Sequence, residues 1–142
     1  MTSETENSYE TDNRTGVNNE GELANTPVER LTAASIVGDS VENRHGEKLG
    51  SIDNLMVNIK TGMVEYAVLE FGAFLGIGGK LFAIPFTELK LDPGKKVFLL
   101  DRDKEFLENL PGFDKTHWPD TNDHYYDDVN MYWRISPRAF YP

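Results

Sequence analysis

The sequence predicts a mostly β fold: a small barrel or strongly bent sheet of about six short strands, with a short C-terminal helix and irregular extensions. Three observations carry this. Apolar positions recur with a period of two, most clearly at Leu55, Val57 and Ile59. The apolar runs are cut by compact turn sequences at hairpin spacing, among them Lys60-Thr61-Gly62 and Asp92-Pro93-Gly94. The one helical stretch at the end of this region is brief and is stopped by Pro111-Gly112.

Taken in order, residues 1–30 hold 7 acidic and 2 basic side chains, a net of −5, and their only large aliphatics are Val17, Leu23 and Val28. So little apolar surface does not offset the entropy of ordering, and the segment is expected to be a disordered acidic tail. Residues 31–112 form the predicted barrel domain. Thr32 followed by Ala33-Ala34-Ser35-Ile36 reads as one turn of helix, and Val41-Glu42-Asn43 as a short strand. Arg44-His45-Gly46-Glu47 is a turn, with His45 a solvated turn residue. Lys48–Ile59 is a strand, and Gly62 closes its hairpin at a position where a positive φ is expected. Met63–Phe71 is apolar on both faces in its middle, as in a central strand covered on both sides. Lys80–Phe86 is a further strand, with Pro85 confined to an edge or bulge. Leu89–Leu91 and Lys96–Leu100 flank the Asp92-Pro93-Gly94 turn. Asp101 is placed to cap a helix over Arg102–Leu110. Residues 113–142 are an aromatic and acidic C-terminal extension.

The full chain has 142 residues, 14 Lys plus Arg against 24 Asp plus Glu, and no cysteine. A net charge of −10 argues against direct nucleic-acid binding, which needs clustered cations. The absence of cysteine excludes disulfides, thiol nucleophiles and Cys-ligated metals. No apolar run approaches the roughly 18 residues of a spanning helix, and the start lacks the pattern of a secretory signal. No membrane insertion and a cytoplasmic location are the expectations.

Gly38-Asp39-Ser40-Val41 and Gly46-Glu47-Lys48-Leu49-Gly50-Ser51-Ile52 resemble the opening strands of the PRC-barrel family. Asn58-Ile59-Lys60-Thr61-Gly62, Gly76-Ile77-Gly78-Gly79-Lys80 and Ala83-Ile84-Pro85-Phe86 are similar to its middle. Pro111-Gly112-Phe113-Asp114-Lys115 with Trp118-Pro119-Asp120 resembles the segment that follows the barrel in stand-alone bacterial members. Known members include the cytoplasmic barrel of the photosynthetic reaction-centre H subunit and the C-terminal domain of a ribosome maturation factor. The first has a spanning helix before its barrel and the second a separate N-terminal domain; residues 1–30 here resemble neither. The resemblance therefore implies only a barrel that works by binding, usually protein, with no chemistry and no cofactor of its own.

The candidate interaction site is the glycine loop: Phe74, Leu75 and Ile77 ride on a segment that includes Gly78 and Gly79, with Trp118 further on. Apolar side chains on such a loop call for cover, which suggests a protein partner or a homodimer. The loop is no phosphate cradle, because Phe74 stands where a P-loop needs its first glycine and Leu81 where it needs Ser or Thr. A second reading, a metal-dependent hydrolase, rests on Asp114, His117, Asp120 and His124, whose residue types suit a divalent metal. Their spacing matches neither a zincin helix nor a calcium loop. A third, an adaptor in ribosome or RNA biology, would have to grip a basic protein. Glu65 and Glu70 fall on opposite faces of one strand and form no carboxylate pair, and Glu65 is expected to be partly buried beside Lys48 or Lys80.

Overall fold

The computed structural model describes residues 7–71, 80–114 and 122–135. Seven strands form one sheet: β1 (Ser40–Glu42), β2 (Lys48–Asn58), β3 (Met63–Phe71), β4 (Lys80–Pro85), β5 (Leu89–Asp92), β6 (Val97–Leu100) and β7 (Gly112–Asp114). The order across the sheet is β5-β6-β1-β2-β3-β4-β7, antiparallel except for the β1–β6 pair. Four helices accompany it: α1 (Ser8–Thr15), α2 (Ala33–Ile36), α3 (Lys104–Glu108) and α4 (Asn122–Ile135).

The sheet wraps around its core without closing. β4 and β6 stand four steps apart in the order, about 19 Å on a flat sheet. Yet Phe86, just past the end of β4, lies 6.4 Å from Phe98 of β6, ring to ring. Ile84, Leu100, Val41, Leu49, Ile52 and Leu69 also share one buried cluster, which Leu107 and Leu110 plug from the α3 side. Bending is built into β2: its register slips around Asp53, and Gly50 brings it so close to β3 that a Cβ there would lie 2.2 Å from the Glu70 carbonyl. Gly62 has the positive φ of 79° that the hairpin turn requires.

Tyr66 to Leu69 of β3 are all buried, as expected of a strand covered on both faces. The inner cover is the barrel core. The outer cover is α4, whose Tyr125 and Val129 pack on Tyr66 and Ala83. Composition did not announce this helix. The α3 helix is capped by Asp103, whose carboxylate accepts from Phe106 N at 2.9 Å, so it starts two residues later than Asp101 implied.

Residues 7–30, which composition alone reads as unfolded, are described as α1 and a looped return. None of the residues in α1 is buried. Its order rests on hydrogen bonds: an Asn7–Glu10 capping box, a left-handed Gly16, and anchors to the body. Gly94 N donates to Thr15 O at 2.9 Å, and Thr32 N donates to Asn13 Oδ1 at 2.8 Å.

Candidate functional site

The surface around the β2–β3 hairpin combines an apolar projection with a groove; two further grooves lie against α1, both lined in part by Tyr9, Asn13 and Thr32. The projection is the distal part of the β2–β3 hairpin. β1 accompanies β2 only through Ser51, after which Gly38 and Asp39 exchange backbone hydrogen bonds with Ile52. β4 accompanies β3 from Phe71 only as far as Tyr66. Among the described residues, no strand pairs with β2 beyond Ile52 on its β1 side. The period-two stripe that begins at Leu55, against the core, therefore runs out of cover. Val57 is 50% exposed, Ile59 93%, and Met63 across the hairpin 63%.

The groove lies between this arm and α4, lined by Met63, Glu65, Tyr66, Pro85, Tyr126, Asp127 and Asn130, among others. Tyr66 and Tyr126 stack at 4.6 Å and 17°. The Tyr66 hydroxyl donates to Asn130 Oδ1. Burial raises the Tyr66 phenol above its ordinary range, against the lowering effect of the Asn130 bond. Burial also pushes Tyr126 up to about 12, with Tyr66 adding to the shift. Both phenols stay neutral at physiological pH, so they offer ring faces and hydroxyl dipoles. Glu65 is exposed and accepts from Asn58 Nδ2 at 2.9 Å. The expected burial beside Lys48 or Lys80 is thus corrected, because β3 projects past its neighbour at that point and Asn58 across the hairpin is nearer.

Two further contacts fix α4. The Tyr125 hydroxyl accepts from Ala83 N at 3.3 Å and donates to Pro111 O at 3.0 Å. At the other end Arg102 lies 4.2 Å above the Phe106 ring and 5.2 Å from that of Trp133.

The sequence-predicted sites fall largely elsewhere. Phe74, Leu75, Ile77, Gly78, Gly79, His117, Trp118 and Asp120 lie outside the described residues. In the chain the glycine loop joins Phe71 to Lys80, which pair at the end of β3 remote from the Gly62 turn. Of the metal candidates, Asp114 has its backbone in β7 and His124 in the first turn of α4. Among the described residues, no group of three or more His, Cys, Asp or Glu is arranged to hold a metal ion. His45 sits in the turn organised by buried Asn43, whose Oδ1 accepts from both His45 N and Glu47 N at 3.0 Å. Sequence reasoning missed the arm and the groove. The arm was legible in the Leu55-Val57-Ile59 alternation outlasting its neighbours; the groove needed α4.

A wrapped, mostly antiparallel seven-stranded sheet that carries an apolar arm and a tyrosine-lined groove defines a small β-barrel-like scaffold. The family model described as PRC-barrel domain matches residues 29–107, more than half of the 142, and the chain belongs to the PRC-barrel family. No curated protein matches it. Membership suggests a protein-interaction module in general, in a family that is generally non-catalytic. Among the described residues, no helix is long and apolar enough to cross a membrane.

Proposed function

We propose that this chain is a non-enzymatic protein-interaction module that associates with itself, a homodimer being the simplest form. The observation that carries the reading is the uncovered apolar arm, where Val57, Ile59 and Met63 gather on one hairpin, while the other exposed large aliphatics among the described residues, Leu23, Val37 and Met131, lie on separate elements. A domain of about 80 residues buries a limited fraction of its surface, and a second copy supplements it. The glycine loop, with Phe74, Leu75 and Ile77, is the second surface proposed for protein contact. Sedimentation equilibrium across a hundredfold concentration range tests the reading. A mass that rises toward two chains supports it; a single-chain mass throughout refutes self-association. Phe74→Ser tells whether the loop takes part, since loss of association in that variant assigns it and an unchanged mass removes it.

A further inference from the structure

We propose that the free flank of β2, Asn54–Asn58, docks a second copy of this chain by antiparallel strand pairing about a two-fold axis at Met56. The inference rests on the self-association proposed above and adds its surface and register. Three observations carry it.

The first is an edge of useful length with no strand paired to it among the described residues. β1 accompanies β2 through Ser51, Gly38 and Asp39 bond to Ile52, and β2 then runs unbroken from Asn54 to Asn58, because the extra residue of the second register shift, Glu65, is on β3. At this edge the Leu55 N–H donates to the neighbouring Asn54 Oδ1 at 2.9 Å. A side chain stands in for the main-chain acceptor that an adjacent strand would supply.

The second is chemistry. Between Asn54 and Asn58 there is no lysine, no proline and no charged side chain, the residue types that ordinarily blunt an edge. Val57 exposes half its surface there.

The third is symmetry, and it selects the occupant. Asn54-Leu55-Met56-Val57-Asn58 reads the same in both directions by residue class: amide, apolar, apolar, apolar, amide. A two-fold at Met56 sets Leu55 opposite Val57 of the second copy, Asn54 opposite Asn58, and Met56 opposite itself. No charged side chain lies within Asn54–Asn58, so no like charges meet across these pairs. A self-complementary patch of this kind is what an isologous interface requires, and an unrelated strand gains nothing from it. The Leu55 N–H then points at the Val57 carbonyl of the second copy, exchanging a local bond for a strand-to-strand one.

The chain has no cysteine, so Met56→Cys introduces a sole thiol. In the proposed register position 56 faces its counterpart as a non-hydrogen-bonded pair, with the Cβ atoms about 4.5 Å apart, at the edge of disulfide reach. Ile59→Cys places the two thiols about 20 Å apart along the paired strands. Under mild oxidation of the full chain, Met56→Cys is expected to give a covalent dimer and Ile59→Cys very little. Val57→Asp buries a carboxylate against Leu55 and is expected to weaken dimerisation at least about tenfold, while melting close to the parent. A parent dimer that survives Val57→Asp, or an Ile59→Cys chain that links as fast as Met56→Cys, overturns the register and leaves self-association standing. A parent that is a single chain at every concentration overturns both. Should Met56→Cys fold poorly, the Val57→Asp measurement decides alone.

Discussion

Removing one oxygen atom tests how α4 is held to the sheet. The Tyr125 hydroxyl is the partner of two main-chain groups, the Ala83 N–H at 3.3 Å and the Pro111 carbonyl at 3.0 Å. Ala83 is fully buried, and β7 pairs with β4 only from Lys80 to Phe82. The hydroxyl thus caps the first β4 position that β7 does not reach. Tyr125→Phe keeps the ring and its edge contact with Phe113 at 5.1 Å but leaves both polar groups without that partner. Stranding buried polar groups costs about 1–3 kcal/mol. For a chain of this size each kcal/mol moves the melting point by about 3–4 °C, so the expected fall is about 3–12 °C. Tyr132→Phe is the matched control: its hydroxyl donates to Phe106 O at 3.1 Å in a half-buried position, and its loss is expected to cost about 0.5–1 kcal/mol. Thermal melts followed by far-ultraviolet circular dichroism give the two numbers, and hydrogen exchange reports the Ala83 amide directly. If Tyr125→Phe melts within about 1 °C of the parent and Ala83 exchanges no faster, the hydroxyl is not what fastens α4.

The tyrosine cluster also predicts alkaline lability. Burial raises Tyr66, Tyr125 and Tyr126, the last to about 12, so the folded state keeps protons that the unfolded state loses near pH 10. Their contribution is complete below about pH 10 and is lost as pH rises toward about 12; melts over that range should fall steeply, and less so in Tyr126→Phe. Lys96 Nζ donates to Asp39 Oδ2 and to Ser35 O, both at 2.7 Å, with side-chain exposures of 11% and 15% for the ion pair. Lys96→Met strands the Asp39 carboxylate and is expected to cost about 3 kcal/mol in urea unfolding, against little for the exposed Arg44–Asp101 pair. Gly50→Ala drives a methyl into the Glu70 carbonyl, which belongs to backbone and has no rotamer to yield; a loss of about 3 kcal/mol, or failure to accumulate folded protein, is the expected outcome.

Strand positions were legible because half-buried strands write their period into sequence. Leu55-Val57-Ile59 alternates, and Gly62 and Gly94 sit at turns with φ of 79° and 89°. The double cover of β3 was legible too, from four successive residues, Tyr66–Leu69, that avoid charge. What covers its outer face was not read, although the trace is present: Tyr125, Val129, Tyr132 and Trp133 recur at helical spacing and all pack inward. The reading of that segment turned instead on Asp114, His117, Asp120 and His124 as metal candidates. The N-terminal segment escaped for a different reason. Apolar content measures burial, whereas α1 is held by caps and by Asn13 and Thr15 hydrogen bonds to Thr32 and Gly94. Curling of the sheet is a tertiary property, carried by a register slip at Asp53 and a close approach at Gly50 that no periodicity records.

The two proposed contact surfaces adjoin opposite ends of β3 in the chain: the arm turns at Gly62, before Met63, and the glycine loop follows Phe71. The size of the assembly, taken with one loop variant, reads the mode of association. Pairing of β2 with β2 about a two-fold consumes the edge on both copies and closes at a dimer. Contact between the loop of one copy and the arm of the next is heterologous; it leaves a free arm and a free loop at the ends of every assembly and so adds copies with concentration unless it happens to close into a ring. A mass distribution that saturates at two chains excludes loop-to-arm contact between copies, and Phe74→Ser then separates a two-fold contact through the loop from one through the β2 edge. A distribution that keeps growing requires both ends of the strand to be engaged by copies of the same chain.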